Sequence, residues 1–382
     1  MMGIRLFCLA VLGEFINFVM VFFANINLLC SMMKRLAFIS IMAVAMAAVA
    51  FANINRPNPF GKDDPVEVID ISEVDSVAAA QDSVAVIAWF AKGDTAEYEI
   101  SDTRWNLTAT DTLLTASTTT NVRIVVTDST AGGYKIDYTI LGIESENVNG
   151  SPLSPFASGL TEKLAKKIAG TTIKLETNEY GTITRIVNQD KIKKQCQSII
   201  KEISKEIMSM IDPKSAKAQG LDIEALMGAF DIDQVVENYL KDTNLIFVCL
   251  GNIYPYGEFT SHENASATQY ENNTTVSVWD DAEDGILNIS YNIDNFIPPT
   301  EVKSLISQFF GAAITDEGIM KEMESGVDSA FDSTVLYNSF LHFQMLDCGF
   351  PLKIVNQENI TTKSQGRANQ TVITLTRISG AE

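Results

Sequence analysis

From residue 121 to residue 143, apolar and polar side chains alternate almost one by one. In NVRIVVTD (121–128) and YKIDYTILGI (134–143) this period of two predicts two strands joined at AGG, with Tyr134, Ile136, Tyr138 and Ile140 on one face. VAVIAWFA (84–91) is an apolar run of strand length and predicts a buried strand. TATDTLLTASTTT (108–120) has high β-propensity but reads equally as an irregular edge. The lead-in 53–82 holds three prolines and many acids, with one short strand expected at Val66–Ile71.

The period then lengthens. Phe156, Leu160, Leu164 and Ile168 recur every four residues and predict a helix. TTIKLETNEYGTITRIVN (171–188) predicts two short strands around a turn at Asn178–Gly181. The strongest helical pattern runs over 190–211, with Ile192, Cys196, Ile199, Ile203 and Ile207 on one stripe and Asp212-Pro213 as its stop. A second amphipathic helix, or a broken pair, is expected over 222–240, using Leu226, Met227, Phe230, Val236 and Tyr239.

Strands return at NLIFVCLG (244–251), TTVSVWD (274–280) and ILNISYNID (286–294). Thr300 and Thr315 can cap two further helices. TVLYNSFLHFQMLDC (334–348) alternates with Val335, Tyr337, Leu341, Phe343 and Met345 inward, and a closing hairpin turns about KSQGRAN. Helices do not alternate regularly with single strands. The expected class is therefore α+β: a largely antiparallel curved sheet, with a half-open barrel as one form of it, packed with several amphipathic helices.

The pentapeptide FANIN closes an apolar run twice, at 23–27 and 51–55. The second run has the layout of a secretory leader: Lys34 and Arg35, then LAFISIMAVAMAAVA, then Ala50-Phe51-Ala52 as an A-x-A site. The first run has only Arg5 ahead of it, is interrupted by Glu14, and places Phe22 where a small residue is wanted. Cleavage is expected after Ala52, with residues 1–52 an upstream extension plus leader, 53–82 an exposed lead-in, and 83–382 the α+β domain. That domain divides into two lobes near 241–250 in one reading. A two-span anchored form, with membrane contact only through an uncleaved N-terminus, is the alternative.

Charge narrows the partners. Removing residues 1–52 takes away Arg5, Lys34, Arg35 and Glu14, leaving 25 basic and 47 acidic side chains and a formal net charge of −22. A chain so acidic does not suit nucleic acid or anionic membrane surfaces. An exported protein of the periplasm or cell surface of a Gram-negative bacterium is expected, its partners an apolar ligand or another envelope protein.

Candidate chemistry is thin. The chain has two histidines, His262 in a polar loop and His342 on a polar strand face, and no G-x-S-x-G, H-E-x-x-H or C-x-x-C. Asp280, Asp281, Glu283 and Asp284 before Gly285 look calcium-like. With Gly285 at position six, however, Ala282 and Tyr291 fall where an EF-hand needs oxygen ligands, so an acidic hairpin turn is the expectation. No catalytic residue, metal site or cofactor is assigned.

Of Cys196, Cys249 and Cys348, the first lies on a helical core stripe. The other two end expected strands and are a candidate disulfide pair. Asp-Ser/Thr followed by a small or apolar residue, or by Thr, recurs seven times, where composition gives about two. The pattern resembles the O-glycosylation acceptor of exported Bacteroidetes proteins, which makes Thr95, Thr112 and Ser129 candidate modification sites.

GYKIDYTILGI and TIKLETNEYGTITRIVN resemble segments of secreted envelope proteins of Bacteroidetes-type bacteria. GFPLKIVNQENITTKSQGRANQTVITLTRI is similar to the closing hairpin of LolA-like lipoprotein carriers. The resemblance implies a curved antiparallel sheet closed by helices over an apolar cavity, and it carries over no functional residue. The expected function is non-enzymatic binding or carriage of an apolar or peptide-like ligand, drawing on Trp89, Tyr138, Phe343 and Met345. The alternative is a structural or interaction protein of the cell surface with glycosylated loops and no small-molecule site.

Overall fold

The computed structural model describes residues 69–70, 83–108, 111–146, 166–210, 232–265, 270–281, 285–301, 304, 318, 321, 325, 333–362 and 365–380. The leader, most of the lead-in, most of the helix expected at 156–168 and most of those expected after Thr300 and Thr315 lie outside them.

Fourteen strands are described. They are β1 (Ile69–Asp70), β2 (Ser83–Val86), β3 (Thr95–Thr108), β4 (Thr112–Thr130), β5 (Gly133–Glu146), β6 (Thr172–Thr177), β7 (Ile183–Ile186), β8 (Asn252–Pro255), β9 (Gly257–Glu263), β10 (Glu271–Asp280), β11 (Leu287–Ile297), β12 (Val335–Met345), β13 (Pro351–Thr361) and β14 (Gln365–Ser379). Two long helices are described, α1 (Gln189–Met210) and α2 (Ile232–Phe247), and they pack against each other.

Eleven strands form one sheet in the order β7-β6-β5-β4-β3-β14-β13-β12-β11-β10-β9, and β1-β8-β2 form a small second sheet. Every pairing is antiparallel. The large sheet is two meanders joined where the C-terminal strand β14 pairs with β3. Its edges, β7 and β9, do not pair with each other, so it is an open sheet rather than a closed barrel. The antiparallel sheet is as expected, but strands outweigh helices among the described residues further than an α+β description implies. The large sheet draws strands from both sides of residues 241–250.

One face of the sheet is covered and the other is wet. On β3, Ala96, Tyr98 and Ile100 are buried on the covered face, as are Val122, Ile124 and Val126 on β4 and Ile136, Tyr138 and Ile140 on β5. On the wet face, Arg123 of β4 pairs with Glu97 of β3 at 2.8 Å. This in-and-out alternation sets the register, since a slip of one residue would expose the whole apolar set.

Two strand expectations fail. Residues 244–247 of NLIFVCLG are the last turn of α2 and 248–250 the turn after it. Val236, Leu240 and Phe247 continue a helical stripe, and the apolar run is buried on a helix instead of in a sheet. Of VAVIAWFA, only the part within β2 is strand. The rest crosses the end of the large sheet, where Ala88 N donates to Tyr180 O at 3.0 Å and Trp89 N to Cys348 O at 3.1 Å. Phe90 stacks on Phe350 with centroids 4.3 Å apart. Gly181, at φ 96°, is required at this junction, because a Cβ there would lie 2.6 Å from the Ala88 side chain.

Candidate functional site

The covered face changes character along its strands. One register row runs Val278, Ile289, Phe343, Ile354, Ile373 and Ile100 across β10, β11, β12, β13, β14 and β3, without a polar group. The row one step along runs Val276, Tyr291, Leu341, Asn356, Thr371, Asp102 and Thr118. In the next, Glu358, Asn369 and Arg104 lie side by side on β13, β14 and β3. The apolar band therefore meets a polar floor inside the fold.

That floor is charged and buried. Asp102, Arg104 and Glu358 are only 6%, 3% and 5% exposed. The Thr371 hydroxyl donates to Asp102 Oδ1 at 2.8 Å, and Arg104 Nε donates to Asn369 Oδ1 at 3.1 Å. α2 reaches β13 and brings Lys241, Asp242 and Thr243, all buried, to the same region. Among the described residues, Lys241 Nζ and Thr243 Oγ1 have no hydrogen-bond partner. Burial pushes the Lys241 amine down from its ordinary pKa, and the carboxylates of Glu358 and Asp242 pull part of the way back.

Buried charges ordinarily occur paired and hydrogen-bonded, because an isolated one loses its hydration without replacement. A buried Lys241 amine with carboxylates near it but no hydrogen-bond partner among the described residues is suited to meet a polar group of a ligand. Among the described residues no group of three His, Cys, Asp or Glu side chains could hold a metal ion.

Of the four residues expected to share a cavity, Tyr138, Phe343 and Met345 belong to one buried hydrophobic cluster and Trp89 does not. Phe343 and Met345 are neighbours on β12 and lie on the apolar band, 1% and 2% exposed. Tyr138, fully buried on β5, shares their face but lies five strand positions away. Trp89 is 70% exposed and joins none of them, because the chain at 88–90 turns Ala88 and Phe90 inward and leaves the residue between them outside.

The Cys249–Cys348 bridge does not form: both are free thiols, as is Cys196. Cys249 follows α2 instead of ending a strand, and it is buried beside Tyr254. Thr112 is exposed at the β3–β4 turn. Thr95 is half-buried with its hydroxyl on Gly93 O, and exposed Ser129 donates to Phe90 O. Asp281 and Gly285 join the paired strands β10 and β11, with Asp281 N donating to Ile286 O at 2.8 Å; residues 282–284, with Glu283 and Asp284, lie outside the described residues.

Asp102, Arg104, Glu358, Lys241 and Asp242 were not legible as a site. A signal existed in EYEISDTRW, where Tyr98, Ile100, Asp102 and Arg104 hold one parity. Along that inward face the apolar run ends at Ile100 and the charged residues Asp102 and Arg104 continue it.

No protein-family model matches the sequence, and no curated protein matches it. A solved structure titled "Lipid-protein interactions in lipovitellin" is similar over 77% of this chain, at 9% identity and a TM-score of 0.34, and the chain spans 26% of that protein's length. A likeness at that score decides nothing about fold or ligand.

Proposed function

We propose that the chain is an exported, non-enzymatic cell-envelope protein that binds an amphipathic ligand on the covered face of its large sheet. The apolar part of the ligand lies along the band containing Ile289, Phe343 and Ile354. Its polar end meets Lys241, Glu358, Asp102 and Arg104. The observation that carries the reading is the buried Lys241 amine, without a hydrogen-bond partner among the described residues, where α2 reaches β13 and the apolar band gives way to the polar floor. Export rests on the leader layout before Asn53 and on the acidic balance of the remaining chain. Among the described residues no helix is long and apolar enough to cross a membrane.

The test is to purify the full chain without detergent, extract it with chloroform–methanol, and analyse the extract by mass spectrometry. An amphiphile in near-equimolar amount is expected. An empty extract from folded protein would overturn the reading in favour of a structural surface protein, with Thr112 the best-placed of the candidate glycosylation sites.

A further inference from the structure

The wet face of the same sheet carries a second, unrelated arrangement. Trp279 on β10 and His342 on β12 have ring centroids 5.6 Å apart and planes 20° apart. Phe340, two residues along β12, lies 6.3 Å from His342 with planes 13° apart. Three nearly parallel rings thus form a strip on the open side, and the Trp279 end is 43% exposed.

Amides border the strip. Phe340 sits in register between Asn292 on β11 and Gln357 on β13. One step along, Asn338 Nδ2 donates to Asn292 Oδ1 at 2.9 Å and to Asp294 Oδ1 at 2.7 Å. Asn359 donates to Asn338 at 3.2 Å, Gln357 to Asn359 at 3.3 Å, and Gln370 of β14 to Gln357 at 3.4 Å. Donors and acceptors therefore run across four strands as one oriented chain, all of it half-exposed.

We infer that this strip is a binding platform for a neutral oligosaccharide. Trp279, at the exposed end of this stack, offers a ring face on which the C–H side of a sugar can lie, and the half-exposed amides beside Phe340 offer both donors and acceptors to its hydroxyls. Charge selects the class. A chain with a formal net charge of −20 keeps five amides and one carboxylate, Asp294, in this network. A patch in which amides outnumber charges suits an uncharged polyhydroxylated ligand. The site is separate from the covered face, and the two stand or fall independently.

The test is isothermal titration of the full chain with cellohexaose, xylohexaose, maltohexaose and laminarihexaose. Saturable binding of at least one is expected. Trp279→Ala and Phe340→Ala should each weaken it by at least about fivefold, as loss of a central contact does. Asn338→Ala, which removes the hub of the amide chain, should weaken it as well. Trp89→Ala removes a more exposed ring elsewhere on the surface and should leave binding unchanged. Absence of binding to all four sugars, or binding unaffected by Trp279→Ala and Asn338→Ala in folded protein, would overturn the inference.

Discussion

Replacing Lys241 with methionine separates a structural role of the buried charge from a ligand-binding one. Methionine keeps much of the unbranched stem and removes only the ammonium. At Lys241 three effects compete: loss of hydration on burial, which is the largest, and attraction to Glu358 and to Asp242. Their balance lowers the amine pKa, so in the ligand-free protein the charge opposes folding. An unmet buried hydrogen-bonding group costs about 1–3 kcal/mol, and the two carboxylates offset part of that, so Lys241→Met should stabilise the empty protein by about 1 kcal/mol. With a urea slope of about 3 kcal/mol per molar, the unfolding midpoint at pH 7 rises by roughly 0.3 M. The sign is checked by pH. Between the lowered folded pKa and the ordinary value of 10.5, the unfolded chain holds the proton more tightly, so wild-type stability climbs with pH and the two proteins converge. A variant less stable than wild type by about 2 kcal/mol or more would show that Lys241 is a paired structural charge, and the reasoning from an unmet ammonium would be refuted.

Other outcomes can be read from single residues. Phe343→Ala leaves a cavity at a 1% exposed position and should lower stability by about 3–5 kcal/mol in chemical unfolding; a loss under about 1 kcal/mol would mean that the apolar band is loosely packed. Burial pushes the Cys249 thiol up to about 12, the neighbouring Tyr254 hydroxyl acting in the opposite direction. Native protein at pH 8 should therefore be alkylated at the half-buried Cys348 well before Cys249, and a Cys249–Cys348 bridge in a non-reduced peptide map would contradict the free-thiol structure. Burial, then the charge of Lys353, lowers the His342 pKa. As pH falls below the ordinary value of about 6.5, the unfolded chain takes up a proton that the folded one resists, so stability declines. His342→Gln should flatten that decline, and an unchanged pH profile would count against it.

The legible parts of the fold were those where one physical demand governed the pattern. β4 with β5, β6 with β7, and β12 alternate because one face is core and the other water. The stripe through Ile192 and Cys196 marks α1 for the same reason. The strand expected at 244–251 is a helix end, because a short apolar run is equally at home in a strand and in a buried helix end; only the contacts of α2 decide between them. The run at 84–91 failed because its backbone hydrogen bonds go to turns distant in sequence, at Tyr180 and Cys348. β3 was missed through its charged inward residues, and for that reason the polar floor was missed too. Its members come from β3, α2, β13 and β14, and no spacing along the chain marks Asp102 as a neighbour of Thr371.

The most direct measurement is native mass spectrometry of the detergent-free full chain beside its Lys241→Met variant, each recorded before and after organic extraction. Wild type should carry an extractable mass that the variant has lost while remaining folded. A wild-type protein of bare polypeptide mass, or a variant that carries the same adduct at the same occupancy, would contradict a ligand held at Lys241.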